Sequence, residues 1–434
     1  MFLNQISNHV RPAALNLPSA GCLGTVQRVA VPRDYPLEEI RLVVDFTLAS
    51  NVTVDTLTAQ TPAQLDAILG LVARVNLTAT DPILGQRSIV DCSGRGLLEA
   101  NAMNGGSVDF STQILIAMTQ TTFPAGVATK PVLLAGAYRL TYRIPLALPT
   151  IGEKLRSFCY LPVHLHKQDP ILTVTFGQPS DLKGGSSGTT ITTAVITQIN
   201  TTVQYIRRVP NAASESAIAA GGGYLSYDFI ETPYSVPVGS AAEIKFDLPL
   251  PGQYSGLIFR QYLGGANMSR NVIDATGIGD TFANGAGAEQ RWRLESALNV
   301  IREWTWPTLQ GVNDESRPLS ALITNPGVTI TASTLASQTL ANGGLVEGAI
   351  MPGTNKRPAS LTKIDFLSAG LTAETGVELG SLLDCDTPNA NGRKMQIIGN
   401  PASVATNASF LNIVGHRFID PTGKQLGLWQ KFFA

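Results

Sequence analysis

The feature that most constrains this chain is a two-residue alternation of apolar and polar side chains. It recurs in short runs that Pro, Gly, Asn and Asp cut off. Successive side chains of an extended strand point to opposite faces, so each such run reads as a strand with one buried face. Residues 39–48 (EIRLVVDFTL) show it most clearly. Ile40, Leu42, Val44, Phe46 and Leu48 fall on one face, and Arg41, Asp45 and Thr47 on the other. Similar runs cover 24–31, 71–79, 138–148, 158–166, 171–176 and 190–206. After a Gly-rich break come 224–231, 242–248, 256–263, 345–351, 362–367, 394–398 and 410–418. A last strand over 425–432 is expected after Asp420-Pro421-Thr422-Gly423, which has the chemistry of a tight turn. The chain reads as mostly β.

Helices are expected to be few. Thr61-Pro62 supplies an N-cap and first position, with Leu65, Ile68 and Leu69 following at helical spacing. A second short helix is expected over Gly96–Met103, stopped by Asn104-Gly105. The longest candidate is 288–304 (AEQRWRLESALNVIREW), where Leu294, Ala297, Leu298 and Ile301 make an apolar stripe. Glu289/Arg293 and Arg291/Glu295 would pair at i,i+4, and Pro307 would end it. Its Trp292, Trp304 and Trp306 are expected to pack under a loop or into a subunit contact rather than to frame a ligand.

The segment 210–223 (PNAASESAIAAGGG) is rich in small residues and poor in strand formers, as inter-domain linkers are. It divides the chain into an N-terminal arm (1–20) with a first domain (21–209), and a second domain (224–434). The halves echo one another weakly: EIRLVVDFTL from Glu39 against EIKFDLPL from Glu243. About eight antiparallel strands in each half, joined by long irregular connections, suit a two-sheet jelly roll. The expected fold is therefore all-β, two tandem eight-stranded jelly rolls with few short helices and long loops.

Composition narrows the partners. The 434 residues carry 31 Lys+Arg and 32 Asp+Glu, and charged residues are 15% of the chain against roughly 25% in an average globular protein. No window holds a basic cluster, which argues against direct nucleic-acid binding. Surface with so little charge suits contact with copies of the same chain. At 44% hydrophobic the chain has material for a large core, and no run of 18 apolar residues predicts a transmembrane helix. The opening MFLNQISNHVRPAALNLP lacks the basic region and apolar core of a secretory signal. Cys22, Cys92, Cys159 and Cys385 form no CxxC pair, so they read as buried free thiols rather than zinc ligands.

Catalytic signals are weak. Gly184, Ser186 and Gly188 match the GxSxG pattern of serine hydrolases, but the β-branched run Thr189–Thr193 follows where that motif needs a helix. His164 and His166 would share a face if 158–166 were a strand and could reach one metal, with Asp169 as a third ligand. A polar strand end before the Asp169-Pro170 turn is the simpler reading. No Ser/His/Asp or Cys/His set, phosphate loop or dinucleotide loop can be assembled. No catalytic, cofactor-binding or metal-binding residue is expected, and the chain is not expected to be an enzyme.

The stretch YRLTYRIPLALP from Tyr138, followed by LRSFCYLPVHLHKQDPILTVTFGQPSDL from Leu155, resembles the first-barrel segment of double jelly-roll major capsid proteins. These belong to tailless icosahedral viruses, including membrane-containing bacteriophages. Leu161-Pro162, Asp169-Pro170 and Leu172–Phe176 fit the family's form of a strand entering an LP bend and returning as DPxLTxxF. The resemblance implies a virion shell protein, made in the host cytoplasm, whose homotrimers form pseudo-hexagonal capsomers. It also implies vertex or cement proteins as partners, and an N-terminal arm facing inward toward neighbouring subunits or an internal viral membrane. Two other readings stay open on sequence alone. One is a carbohydrate-binding surface β-sandwich, the other a glycan-active enzyme with a carboxylate pair that has no fixed sequence spacing.

Overall fold

The structure is a computed structural model. It describes residues 6–7, 13–15, 23–48, 52–53, 71–81, 85–94, 96–97, 100–101, 132–133, 136–146, 160–178, 183–184, 189–190, 196–208, 226–236, 244–248, 253–263, 291–296, 299–305, 361–365, 383–384, 395–399 and 409–419. In chain order the first-half strands are β1 (Ile6–Ser7), β2 (Ala13–Leu15), β3 (Val26–Ala30), β4 (Leu37–Leu48), β5 (Val52–Thr53), β6 (Val72–Asp81), β7 (Gly85–Cys92), β8 (Val132–Leu133), β9 (Gly136–Pro145), β10 (Ile171–Phe176), β11 (Lys183–Gly184), β12 (Thr189–Thr190) and β13 (Ile196–Arg208). The second half contributes β14 (Ser226–Val236), β15 (Ile244–Asp247), β16 (Gln253–Leu263), β17 (Arg291–Ser296), β18 (Asn299–Thr305), β19 (Leu361–Asp365), β20 (Leu383–Asp384), β21 (Met395–Gly399) and β22 (Ser409–Ile419).

Strand order makes the architecture plain. In the first half one sheet runs β1/β2-β13-β4-β9, and four strands of the other run β3-β10-β6-β7. In the second half the corresponding runs are β14-β22-β16-β19 and β15-β21-β17-β18. Numbering each half's eight long-range strands one to eight, both halves give the orders 1-8-3-6 and 2-7-4-5. That is the strand order of a jelly roll, and it occurs twice. The weak sequence echo does not follow this repeat. EIRLVVDFTL lies in β4, the third strand of its half, whereas the IKFD of the other stretch forms β15, the second strand of its half. The segment read as an arm also supplies sheet strands, since β1 and β2 pair antiparallel with β13 (Ile6↔Arg208, Ala14↔Thr202).

The alternation in β4 sorts its faces as expected. Ile40, Leu42, Val44 and Phe46 are buried, joined from neighbouring β9 by Leu140, Tyr142 and Ile144 and from β13 by Val203 and Tyr205. Each such aliphatic or aromatic side chain contributes about 1.5–3 kcal/mol on leaving water. On the other face Asp45 receives two hydrogen bonds from Arg139, at 2.7 and 3.0 Å. Glu39 receives two from Arg143, at 3.1 and 2.7 Å, and one from Arg41. Burial alone would push the Glu39 carboxyl up, but the Arg143 and Arg41 guanidinium groups together hold it below its ordinary value. In the second half Phe259 on β16 meets Trp304 on β18 across the two sheets, ring centroids 6.3 Å apart. Gly399 gives Trp292 room to lie flat on β21; a Cβ there would come within 2.2 Å of the indole.

Two expectations are overturned. The helix over 288–304 is instead the hairpin β17–β18, with Trp292 opposite Trp304 and both buried. The 3.6-residue stripe and a period-2 strand pattern coexist in that stretch. Pairing of β17 with β21 (Leu294↔Ile397) buries Trp292 and Leu294 together, which a surface helix could not do. The strand over 158–166 is also absent. Leu161 makes a single bridge to Leu37, and Val163–Leu165 is one 3-10 turn after Pro162. Pro162 has no N–H to give a ladder, so the chain turns there. The short helix near Gly96 is present but starts earlier, with residues 94, 96, 97, 100 and 101 helical. The Thr61 helix, the strands at 345–351 and 425–432, and the 210–223 linker lie outside the described residues.

Phe46→Ala is expected to cost about 3–5 kcal/mol, and Arg139→Ala, which breaks an exposed pair, no more than about 1 kcal/mol. Paired thermal or urea unfolding curves check the contrast. The lowered Glu39 pKa makes its contribution present above the ordinary carboxylate value of 4.5 and lost as pH falls through the folded value. The unfolding midpoint of Glu39→Gln should therefore lie below that of the native chain near pH ~7, and the gap should narrow toward pH ~3.

Candidate functional site

The residues with catalytic potential do not converge. His164 sits half-buried inside the 3-10 turn, and His166, at 2% exposure, follows as its C-cap. They do not share a strand face, so the geometry required for a two-histidine metal site is missing. Asp169 is engaged by Arg33 at 2.5 Å, and Arg33 also donates to the His166 carbonyl at 2.7 Å, which ties this loop to residues 31–36. Among the described residues no group of three or more His, Cys, Asp or Glu could hold a metal ion. The GxSxG stretch joins β11 to β12, which pair antiparallel (Gly184↔Thr189). It is the connection of a hairpin, not a strand–turn–helix elbow. Cys92 is a buried free thiol; burial and the adjacent Glu231 carboxylate push its pKa well up, which leaves it a poor nucleophile. Cys22, Cys159 and Cys385 lie outside the described residues.

What the fold does bring together is the junction between its halves. β7 of the first half pairs parallel with β14 of the second (Val90↔Phe229, Ile230↔Asp91), so one nine-stranded sheet runs through both. Around this pairing the side chains are buried and charged. Asp228, fully buried, receives a 2.5 Å hydrogen bond from Arg87 and another at 2.8 Å from Ser226. Tyr227 and Phe229, two apart on one face, stack edge to face with ring centroids 4.9 Å apart. Glu231 accepts the backbone N–H of Ser93 at 2.5 Å. Ser93 in turn caps the helical turn that follows, its hydroxyl accepting the Gly96 N–H at 2.9 Å while Leu97 N–H bonds the Ser93 carbonyl. In an ordinary capping box a glutamate in the helix's own first turn bonds the N-cap N–H. Here that carboxylate comes from the other half of the chain. Gly96 admits it, since a Cβ there would meet the Cys92 sulfur at 2.8 Å and the Glu231 Oε2 at 3.0 Å.

The register also fixes the ends at which the long connections leave and re-enter the sheets. In the first half Leu48 pairs with Gly136 and Ile196, Val75 with Cys92, and Phe176 with Val72. The connections 49–71, 93–135 and 177–195 therefore all leave and re-enter at one end. Gly177 links the ends directly, accepting from Gly24 and donating to Leu71. β5 and β8, from the first two of these connections, pair with each other. In the second half Val236 and Leu263 both meet Ser409, and Thr305 meets Arg291, so 264–290, 306–360 and 400–408 likewise share one end. Because β7 and β14 run parallel, with Cys92 and Val236 at their loop-bearing ends, the two loop-bearing ends lie on the same side of the molecule.

The sequence reading missed this site. β7 was not recognised because its alternation breaks at Ile89, a bulge between Thr78↔Ser88 and Leu77↔Val90 that sets two apolar residues in succession. Asp228 and Glu231 lie in the run 224–231 among Tyr227, Phe229 and Ile230, where nothing local marks them as buried; both are buried beside β7.

No family model matches this sequence, and no curated protein matches it. Solved structures do. The chain is similar to the STIV MCP (TM-score 0.52, 14% identity, 96% of this chain and 99% of that one). A structure of Sulfolobus Turreted Icosahedral Virus matches equally (0.52, 14%, 98% and 97%). VP54 of PBCV-1 follows (0.52, 12%, 96% and 95%). The likeness spans nearly the whole of each chain and, with the doubled strand order, defines the class: this is a double jelly-roll protein.

Asp228→Asn should destabilise the chain by about 3–5 kcal/mol, because it leaves the Arg87 guanidinium without its buried counter-charge. Glu231→Gln should speed proteolysis within the 93–135 connection with a smaller effect on global unfolding. Thermal unfolding and limited digestion read by mass spectrometry separate the two.

Proposed function

We propose that this chain is a major capsid protein whose homotrimers form pseudo-hexagonal capsomers that tile an icosahedral virion shell. The observation that carries this reading is the seam: two jelly rolls of identical strand order are fused by a parallel strand pair into one block with both sets of long connections on one side. Three copies of a two-barrel block give six barrels around one axis, a nearly hexagonal tile that fits a flat facet. Such a contact is heterologous and closes at three copies. The solved structures that share the fold at a TM-score above 0.5 include a turreted icosahedral virus and the PBCV-1 virus capsid. The small share of charged residues, 15%, suits a block whose sides are covered by its own copies.

On this reading the loop-bearing side faces solvent. The chain's partners are its own copies, other capsid proteins such as vertex or cement proteins, and an internal viral membrane reached from the opposite side; nucleic acid is not touched directly. The chain acts through shape and number and catalyses nothing. Its 1–20 segment acts first as an edge of the β13 sheet, through β1 and β2, and only its remainder is left to reach inward.

Multi-angle light scattering on the purified chain should return about three times the 46.0 kDa protomer mass. Negative-stain images should show roughly hexagonal particles. A monomer at micromolar concentration would overturn the proposal.

A further inference from the structure

The doubled strand order identifies the surface through which copies join. The intrachain seam joins the fifth strand of the first jelly roll, β7, to the first strand of the second, β14. The same two positions recur elsewhere in the chain as sheet edges among the described residues. The fifth strand of the second jelly roll, β18, is the terminal strand of its sheet among the described residues, and so is the first-strand position of the first jelly roll, formed by β1 and β2. We propose that the outer edge of β18 in one copy docks, parallel, against the β1/β2 edge of the next, repeating the intrachain seam between chains.

Two observations support this contact over another. The first is continuity of the rule. Within the chain a 2-7-4-5 sheet ends on its fifth strand and continues into the 1-8-3-6 sheet of the next jelly roll. One more application of that step carries β18 to the β1/β2 edge of a second copy, and the parallel sense keeps every loop-bearing end on one side. The second is the state of the β18 edge. Its seven residues, NVIREWT, contain no proline to blunt the edge, and Val300 is 52% exposed. A regular edge strand presenting a β-branched apolar side chain is a template for pairing unless something covers it. Residues 1–20 contain Arg11 as their only Lys, Arg, Asp or Glu, so they offer no counterpart of Asp228. The interchain contact therefore relies on backbone pairing and apolar side chains, and it is weaker per pair than the intrachain seam with its buried Arg87–Asp228 bridge.

The inference rests on the trimer reading, and its test separates the two. Cysteines are placed pairwise in the full-length chain, one at 13, 14 or 15 and one at 300, 303 or 305, and mild oxidation is followed by denaturing electrophoresis beside light scattering. Chains carrying both changes should give a band near three times the 46.0 kDa chain, whereas each single variant and the unsubstituted chain stay at one chain's mass. Mixing Ala14→Cys chains with Val300→Cys chains should give only the mixed two-chain product. A trimer by scattering with no cross-link at any of the nine pairings overturns the proposed contact and leaves the trimer standing. A monomer by scattering overturns both.

Discussion

The structure depends on one parallel strand pair. β7 and β14 are separated by well over a hundred residues, yet their contact makes a single sheet of two jelly rolls and sets their loop-bearing ends on one side. Parallel pairing needs a long crossover, and here the crossover is most of the first jelly roll. The pair is short, so side chains reinforce it. Arg87 and Asp228 meet in a buried bridge, and Glu231 completes the cap on Ser93. Without its guanidinium partner a fully buried carboxylate would be strongly unfavourable. The bridge therefore favours this docking over others that would leave the charges apart.

The same junction couples the second jelly roll to the loop-bearing end of the first. The Glu231 carboxylate, from the second jelly roll, holds the start of the connection that follows β7 in the first. A change in how the two jelly rolls sit would be felt directly at the loop-bearing end. On the outer face of β4 and β9 the exposed Asp45–Arg139 pair adds little to stability, whereas the buried Glu39 carboxylate depends on Arg143 and Arg41.

Legibility from sequence varied with how local the determining interaction was. Glu39–Leu48 announced its faces because every second residue is apolar and the strand is half-buried. Residues 171–176 were bounded correctly for the same reason, fenced by Asp169-Pro170 and Gly177. The stretch 288–304 misled because β17 and β18 pair antiparallel, Ser296 opposite Asn299, and the sum of their two alternating patterns mimics a helical stripe. Residues 158–166 misled because a proline inside an alternating run removes a donor that alternation alone does not count. The seam residues gave no local sign. Asp228 and Glu231 lie three apart in β14, on opposite faces of the strand, and both are buried although they are charged.

By itself the sequence determined that this chain is mostly β, that it comes in two halves, and which side chains face inward in strands of unbroken alternation such as β4 and β10. Those properties follow from period-2 patterning, breakers and composition, all readable within a few residues. Only the tertiary structure decided the strand order, the true register of the internal repeat, the conversion of part of the N-terminal segment into a sheet edge, and the burial of the Arg87–Asp228 and Glu231–Ser93 contacts. These depend on which distant strand lies alongside which, and local alternation is the same whatever the neighbour.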